Sequence, residues 1–377
     1  MKIVVDQNIR IAEPTFGAHA TLEFMDGRAI RHSHLRDADA LIVRTTTRVD
    51  ESLLRGTPVG FVGSTTIGTD HLDTAWMEAE GIRWANAPGC NADSAAQYTI
   101  AMIWLALERL QRPLRGLSAG IIGRGHVGSR VQQLLAALGV ESVCNDPPLQ
   151  DQGVNGLVAL EAALDNDIVC LHVPLTRKGR YATRKLIDRR RLACLPDRAL
   201  LVNTARGDVV AGADLLHELQ TKRLSAALDV WPREPAIDPA LLGAATVATP
   251  HIAGYSDDGK RAGTLQVYAA FCHWAGLAPV TPPPPPKPPH LDIEASEEPM
   301  TRALDAACFV RQQDAALRRL QNVSIAERAA GFDRLRKDYP PRRDFQAWRI
   351  TVVDPVAAEL LRPLGFQVSS PGISRVR

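Results

Sequence analysis

The stretch SAGIIGRGHVGSRVQQLLAALG, residues 118–139, decides the fold. It opens on a short apolar run, SAGII, bends through three glycines, and continues into a segment with helical apolar spacing. Gly123, Gly125 and Gly128 stand in the spacing G-x-G-x-x-G. Between a strand and a helix, the first glycine permits a tight turn and the second lets the backbone approach a pyrophosphate. The third lets the helix pack close on the strand, with phosphate at the helix N-terminus. The glycine pattern alone is common; strand, turn and helix in this order make it a dinucleotide site.

The next apolar run, ESVCND (141–146), ends at Asp146. An acid there is placed to hydrogen-bond ribose hydroxyls. Its plain alternative is an aspartate that opens the turn before Pro147 and Pro148. No arginine follows at once, so a 2′-phosphate would face a negative charge without a partner. The expected cofactor is therefore NAD rather than NADP.

Working outward, short β-branched runs alternate with helix-sized segments: KIVVD, ALIVR and VGFVG before the glycine loop; DIVCLHV, ALLVNT, SAALDV and ATVATP after it. Near-continuous apolar strands suit parallel sheets covered on both faces, the doubly wound α/β class. Two long helical readings, 92–110 and about 256–277, can carry the chain out of one lobe and back. The expected architecture is a Rossmann-type nucleotide lobe, 94–255, inserted in a split flavodoxin-like outer lobe, 1–93 with 256–279. A proline-rich stretch, 280–292, cannot enter a helix or a sheet ladder and reads as a semi-rigid spacer. Beyond it, 293–377 reads as a small α/β domain.

The 377 residues carry a formal net charge of +2 and are 45% apolar, so composition points to neither nucleic acid nor a membrane. The longest apolar run, IAMIWLAL (100–107), is too short for a bilayer, and MKIVVDQNIR reads as a strand rather than a signal peptide. Six scattered cysteines with no C-x-x-C pair read as free thiols rather than a disulfide or metal frame. The expectation is a cytoplasmic protein with no metal site.

Three further residues end strands of the same lobe. LLVNTARGDVV places Arg206 just past an apolar run. SAALDVWPREP places Asp229 at a strand end and Glu234 in the next loop. TPHIAGY, 249–255, places His251 after the run ATVA. Each has a bland reading: a surface ion pair, a solvated acid, a cap. Their types nevertheless suit one reaction at the carboxyl ends of a parallel sheet. A guanidinium binds a carboxylate in a bidentate fork. An imidazole can take a hydroxyl proton near neutral pH, and a carboxylate beside it holds the ring.

With GRGHVG, NTARG, DVWPREP and PHIAGY in place, the chain resembles the NAD-dependent D-2-hydroxyacid dehydrogenase superfamily. The resemblance implies roles as anchor, orienter and acid/base for Arg206, Glu234 and His251. It implies cofactor contact for Gly123, Gly125, His126, Val127, Gly128, Asp146, Val173, Thr204, Ala205, Arg206, Asp229 and Gly254. Val173 stands where the family often has threonine. The motifs VRTTTRV, FVGSTTIGTDHLD, APGCNA and the tail segment FDRLRKDYPPRRDF resemble a tail-bearing branch of the same family. That resemblance implies a small phosphorylated hydroxy acid as substrate, contacted by Thr45, Thr66 and Tyr255, and a homodimer to which the tail contributes. A phosphate also needs a cation. Arg44, at the end of ALIVR, is the first candidate; Lys337, Arg342 and Arg343 come second. The rival readings are a dehydrogenase for another phosphorylated hydroxy acid, such as 3-phosphoglycerate, and an NAD-sensing scaffold.

Overall fold

The computed structural model describes residues 1–370; the last seven residues of the expected tail domain lie outside them. The chain divides into two compact units, Met1–Ala92 with Tyr255–Lys287, and Asp93–Gly254 with the chain from Pro288 onward.

The first unit is built on five strands: β1 (Lys2–Asp6), β2 (Thr21–Met25), β3 (Ala40–Val43), β4 (Phe61–Ser64) and β5 (Arg83–Ala85). They pair in the order β2-β1-β3-β4-β5, all parallel, which is the flavodoxin-like order. Successive residues of a strand face opposite sides, and here both sides are apolar. Ile3, Val5, Ile42 and Phe61 pack with Val267, Tyr268 and Phe271 of the helix Asp257–Ala275. Val4, Leu41, Val43 and Val62 pack on the other face with Leu54 and Met77.

The second unit holds β6 (Ser118–Ile122), β7 (Glu141–Asn145), β8 (Ile168–Leu171), β9 (Leu200–Asn203), β10 (Ser225–Leu228) and β11 (Val247–Ala248). Their order is β11-β10-β9-β8-β6-β7, again all parallel. From β6 the chain first adds β7 on one side, then crosses over and adds β8 to β11 on the other. The reversal of order therefore falls at β6, the strand that leads into the glycine loop, and ligands of open α/β sheets sit at such points.

The tail forms a small parallel sheet of β12 (His290–Ile293), β13 (Arg349–Val352) and β14 (Gln367–Ser369), with three helices, Pro299–Cys308, Val310–Arg318 and Ile325–Lys337, between β12 and β13. Its helices share a core with the six-stranded sheet. Leu317 and Phe332 are fully buried among the same apolar residues as Leu228, Trp231, Leu241 and Ala248. The proline-rich segment before β12 forms neither helix nor strand. Part of it lies along the first unit, where the Val280 amide donates to the Tyr268 hydroxyl at 2.9 Å and Arg261 donates to the Pro283 carbonyl. Among the described residues no helix is long and apolar enough to cross a membrane.

Candidate active site

Gly123 has φ +94°, a left-handed conformation, and Gly125 caps the helix His126–Ala137. A Cβ on Gly128 would stand 1.9 Å from the Gly123 carbonyl oxygen, so only glycine lets this helix start so close to the strand. Nothing lies within 4 Å of where a Cβ on Gly125 would be. The backbone there is open, and His126 beside it is exposed. A bare helix N-terminus with an open cradle in front of it fits a pyrophosphate. Asp146 takes up its turn reading and adds a second bond. Its Oδ1 accepts from the Leu149 amide at 3.1 Å, capping a short helix, while Oδ2 accepts from the Arg124 amide at 2.8 Å and braces the glycine loop. A carboxylate has further lone pairs to offer ribose hydroxyls. Val173 lines the same turn, with Cγ1 2.9 Å from where a Cβ on Gly123 would lie.

Arg206, Glu234 and His251 follow β9, β10 and β11, three adjacent strands with the same direction. Asn203 shapes the turn that leads to Arg206: its Oδ1 accepts from the Ala205 amide at 3.0 Å and its Nδ2 donates to the Arg206 carbonyl at 3.1 Å. Thr204 bonds Thr99 through their hydroxyls at 3.0 Å. Gly207 then comes against the next loop. A Cβ there would stand 2.0 Å from the Trp231 carbonyl, so the arginine turn and the Trp231–Glu234 loop are in backbone contact. His251 Nδ1 lies 2.6 Å from Glu234 Oε2, and Glu234 Oε1 accepts from the Trp231 amide at 2.7 Å. Burial alone would push the Glu234 carboxyl up. The His251 ring beside it and the Trp231 N–H outweigh that and hold it below the usual glutamate range.

His251 has φ +57°, in the left-handed region that non-glycine residues rarely occupy. Its amide donates to the Asp229 carbonyl at 2.7 Å. The Asp229 carboxylate, with no exposed surface, accepts from the Thr249 hydroxyl at 2.6 Å, the Ile252 amide at 3.0 Å and the Ala253 amide at 2.9 Å. Asp229 thus gathers the segment before Gly254 as well as standing at a strand end. The sequence suggested the second point only.

In the first unit, Thr45 is exposed just past β3, and Thr66 and Tyr255 are half-buried. Ser64 Oγ lies 2.9 Å from the Thr66 hydroxyl and 3.0 Å from His71 Nε2, which orders the loop GSTTIGTD. Arg44 is already engaged: Nε and Nη2 donate to the two oxygens of the buried Asp6 at 3.0 and 3.2 Å. That spends two of its five N–H donors. Asp6 was not singled out in the sequence; the signal was an acid directly after the apolar run Ile3, Val4 and Val5. In the tail, Arg342 is 2% exposed and both bonds of its Nη2 go to backbone carbonyls, of Ser94 and Ala253. Among the described residues no group of three or more His, Cys, Asp or Glu side chains is placed to hold a metal.

Residues 91–253 match the family described as D-isomer specific 2-hydroxyacid dehydrogenase, NAD binding domain, and residues 282–365 match a domain of unknown function (DUF3410). Sheet order, glycine loop and the His–Glu pair define the class: an NAD-dependent 2-hydroxyacid dehydrogenase. The NAD-bound 3-phosphoglycerate dehydrogenase of Entamoeba histolytica shares the fold, with TM-score 0.64 and 23% identity over 73% of this chain and 95% of that one. So does the TT0316 protein of Thermus thermophilus, with TM-score 0.65 and 25% identity over 75% of this chain and 99% of that one. The erythronate-4-phosphate dehydrogenase of Hahella chejuensis is 41% identical over 98% of this chain and 100% of its own length. The chain belongs to the erythronate-4-phosphate dehydrogenase family.

His172 lies under this site and was not singled out in the sequence. Its Nε2 is buried without a partner, and Nδ1 is 3.5 Å from the Thr204 hydroxyl. Burial pushes the ring down to about 3 from 6.5. The unfolded chain takes up this proton below its ordinary value; the folded chain does so only near the depressed one. Stability therefore falls as pH drops between the two, by at most ~1.4 kcal/mol per pH unit for one proton. The unfolding midpoint is expected to fall from pH 7 to pH 4.5, and to fall less steeply in His172→Asn. Equal slopes in thermal melts of the two proteins would show that this ring does not set the trend.

Proposed function

We propose that the chain oxidises 4-phospho-D-erythronate to 2-oxo-3-hydroxy-4-phosphobutanoate with NAD, a step in pyridoxal 5′-phosphate synthesis. The observation that carries this is the 2.6 Å His251–Glu234 pair at the carboxyl end of a glycine-loop sheet, in a chain 41% identical to a named enzyme of that activity over 98% of its length. Bound NAD supplies the nicotinamide ring that accepts hydride. The backbone of Gly123 to Gly128, including His126 and Val127, would hold its pyrophosphate and Asp146 its ribose. Val173, Thr204, Ala205, Arg206, Asp229 and Gly254 are the remaining proposed contacts.

Arg206 grips the substrate carboxylate and polarises the oxygen on C2. His251 takes the hydroxyl proton on Nε2, because Nδ1 is committed to Glu234. Glu234, charged and anchored by the Trp231 amide, keeps the ring oriented and stabilises imidazolium as it forms. Thr45, Thr66 and Tyr255 are the proposed substrate contacts, with Arg44 for the phosphate. We further read the protein as a cytoplasmic homodimer. The exposed apolar Val353, Val356 and Leu360 of the tail support pairing, and the cysteines, free in the structure, support a reducing compartment.

Following NADH absorbance with 4-phosphoerythronate, 3-phosphoglycerate and 2-hydroxyglutarate tests the substrate. The first is expected to exceed the others in kcat/KM by about 10²-fold or more. A preference for 3-phosphoglycerate overturns the assignment, and NAD binding with no turnover of any of the three favours a scaffold.

His251→Ala should lower kcat by about 10²–10⁴-fold with NADH affinity within about twofold, since general acid–base help is of that size. Glu234→Gln keeps the shape but not the charge that steadies the ring through Nδ1, and should lower kcat by about tenfold or more with NADH affinity within about twofold. Wild-type kcat in that variant removes the orienter role. Arg44→Ala should cost at least about tenfold more kcat/KM on phosphorylated than on unphosphorylated erythronate, the size of a bond between charged groups. Equal losses on the two substrates remove Arg44 from phosphate binding.

A further inference from the structure

We propose that the carboxy-terminal segment clamps the histidine-bearing loop, and that Arg342 is a positioning residue for His251. The inference rests on the proposed role of His251 and gives the tail a task inside its own chain.

A left-handed non-glycine residue is strained and persists only where its neighbours hold it. Asp229 holds the amides of the loop. The tail holds the chain on both sides of the histidine. Before it, the Ala248 amide on the edge strand β11 donates to Asp314 Oδ1 at 2.8 Å. Asp314 is 1% exposed and is fixed by Arg109 Nη2 at 2.7 Å and Arg318 Nε at 3.0 Å. Arg318 Nη2 also reaches the Ala245 carbonyl at 2.8 Å, and Arg109 Nη1 the Thr246 carbonyl at 2.6 Å. After the histidine, Arg342 Nη2 donates to the Ala253 carbonyl at 2.9 Å and to the Ser94 carbonyl at 2.7 Å. It thereby ties the loop to the start of the helix Ala92–Arg109.

Arg342 is itself fixed. Its guanidinium lies over the Tyr98 ring, 5.1 Å from the centroid, which suits a buried cation. The residues after it are pinned to the same helix: Asp344 accepts from the Ser94 hydroxyl at 2.8 Å, the Phe345 amide donates to Gln97 Oε1 at 2.9 Å, and Gln97 Nε2 donates to Gln346 at 2.9 Å. Ordinary packing of a tail on a domain needs none of these bonds to fall beside a catalytic loop. Here the tail's bonds land on Ala248 and on Ala253, either side of His251. A buried carbonyl left without its donor is costly, which lets the loop relax, and a misplacement of about 1 Å at a reacting group costs on the order of 10²-fold in rate.

The test uses the full chain with Arg342→Gln and Arg342→Lys. In Arg342→Gln, kcat should fall about 10- to 100-fold while NADH affinity stays within about twofold. By hydrogen exchange, the amides of Ile252 and Ala253 should open at least about tenfold faster, with residues 121–131 unchanged. Arg342→Lys keeps a donor for one carbonyl and should recover part of kcat. If Arg342→Gln does not fold, the lysine variant carries the test with the same signs and smaller size. Wild-type kcat and wild-type exchange at 249–254 overturn the clamp. So does a loss of kcat with equal loss of NADH binding and faster exchange throughout, which marks a merely structural arginine. If the unaltered protein fails to oxidise 4-phosphoerythronate, the substrate reading falls while the exchange comparison still decides the clamp.

Discussion

Both carboxylate oxygens of Asp229, a residue with no exposed surface, accept backbone amides from the loop after β11, and its carbonyl accepts the amide of His251. A buried carboxylate is costly unless its lone pairs are filled, and these amides, with the Thr249 hydroxyl, fill them. The same bonds keep His251 left-handed. Cost and constraint therefore cancel in one small network. The loop cannot relax without stripping a buried carboxylate of its donors, and those donors stay in place only while the loop holds its shape. The imidazole that meets Glu234 hangs from this arrangement.

The sheet does the coarser work. Parallel strands of equal direction deliver the ends of β9, β10 and β11 side by side, so residues separated by tens of positions arrive together. Two close approaches set the finer spacing. Gly128 brings the helix His126–Ala137 onto the glycine turn, and Gly207 brings the arginine turn onto the backbone of Trp231. At both places a methyl group would overlap a backbone carbonyl, which cannot rotate aside as a side chain can. Spacing set by backbone contact is stiff, and stiffness is what a site for proton and hydride transfer requires.

Much of this was legible in the chain. Apolar runs alternating with helical spacing predicted parallel sheets, and the five- and six-stranded sheets and the small tail sheet are all parallel. The glycine spacing located the turn after β6, and His251 was recognisable at a strand end. Partners made by register were not legible. Arg44 finds Asp6 because β1 pairs with β3 and sets Val5 against Ile42, a long-range fact that no local motif records. Asp146 looked like either a ribose ligand or a turn aspartate, and it braces the loop and caps a helix at once. Arg342 sits in a basic run that reads as a solvated face. Burial came from the tail's path over the helix Ala92–Arg109, and composition carries no trace of that path.

Fold alone does not separate the members of this class, because enzymes with different substrates share both sheets. The Thermus thermophilus and Entamoeba histolytica proteins align with 75% and 73% of this chain, whereas the Hahella chejuensis enzyme aligns with 98% of it. What narrows the reading is therefore the whole length, tail included. That tail does not ride on the sheet as a separate bead. Leu317 and Phe332 complete the core beneath β10 and β11, and Asp314 fills the open edge of β11, whose unpaired amides would otherwise face solvent or another strand. An edge strand of two residues is a weak support for a catalytic loop. Covering that edge with a buried, doubly paired carboxylate turns it into a firm one, and it is the tail, through Asp314, that supplies the cover.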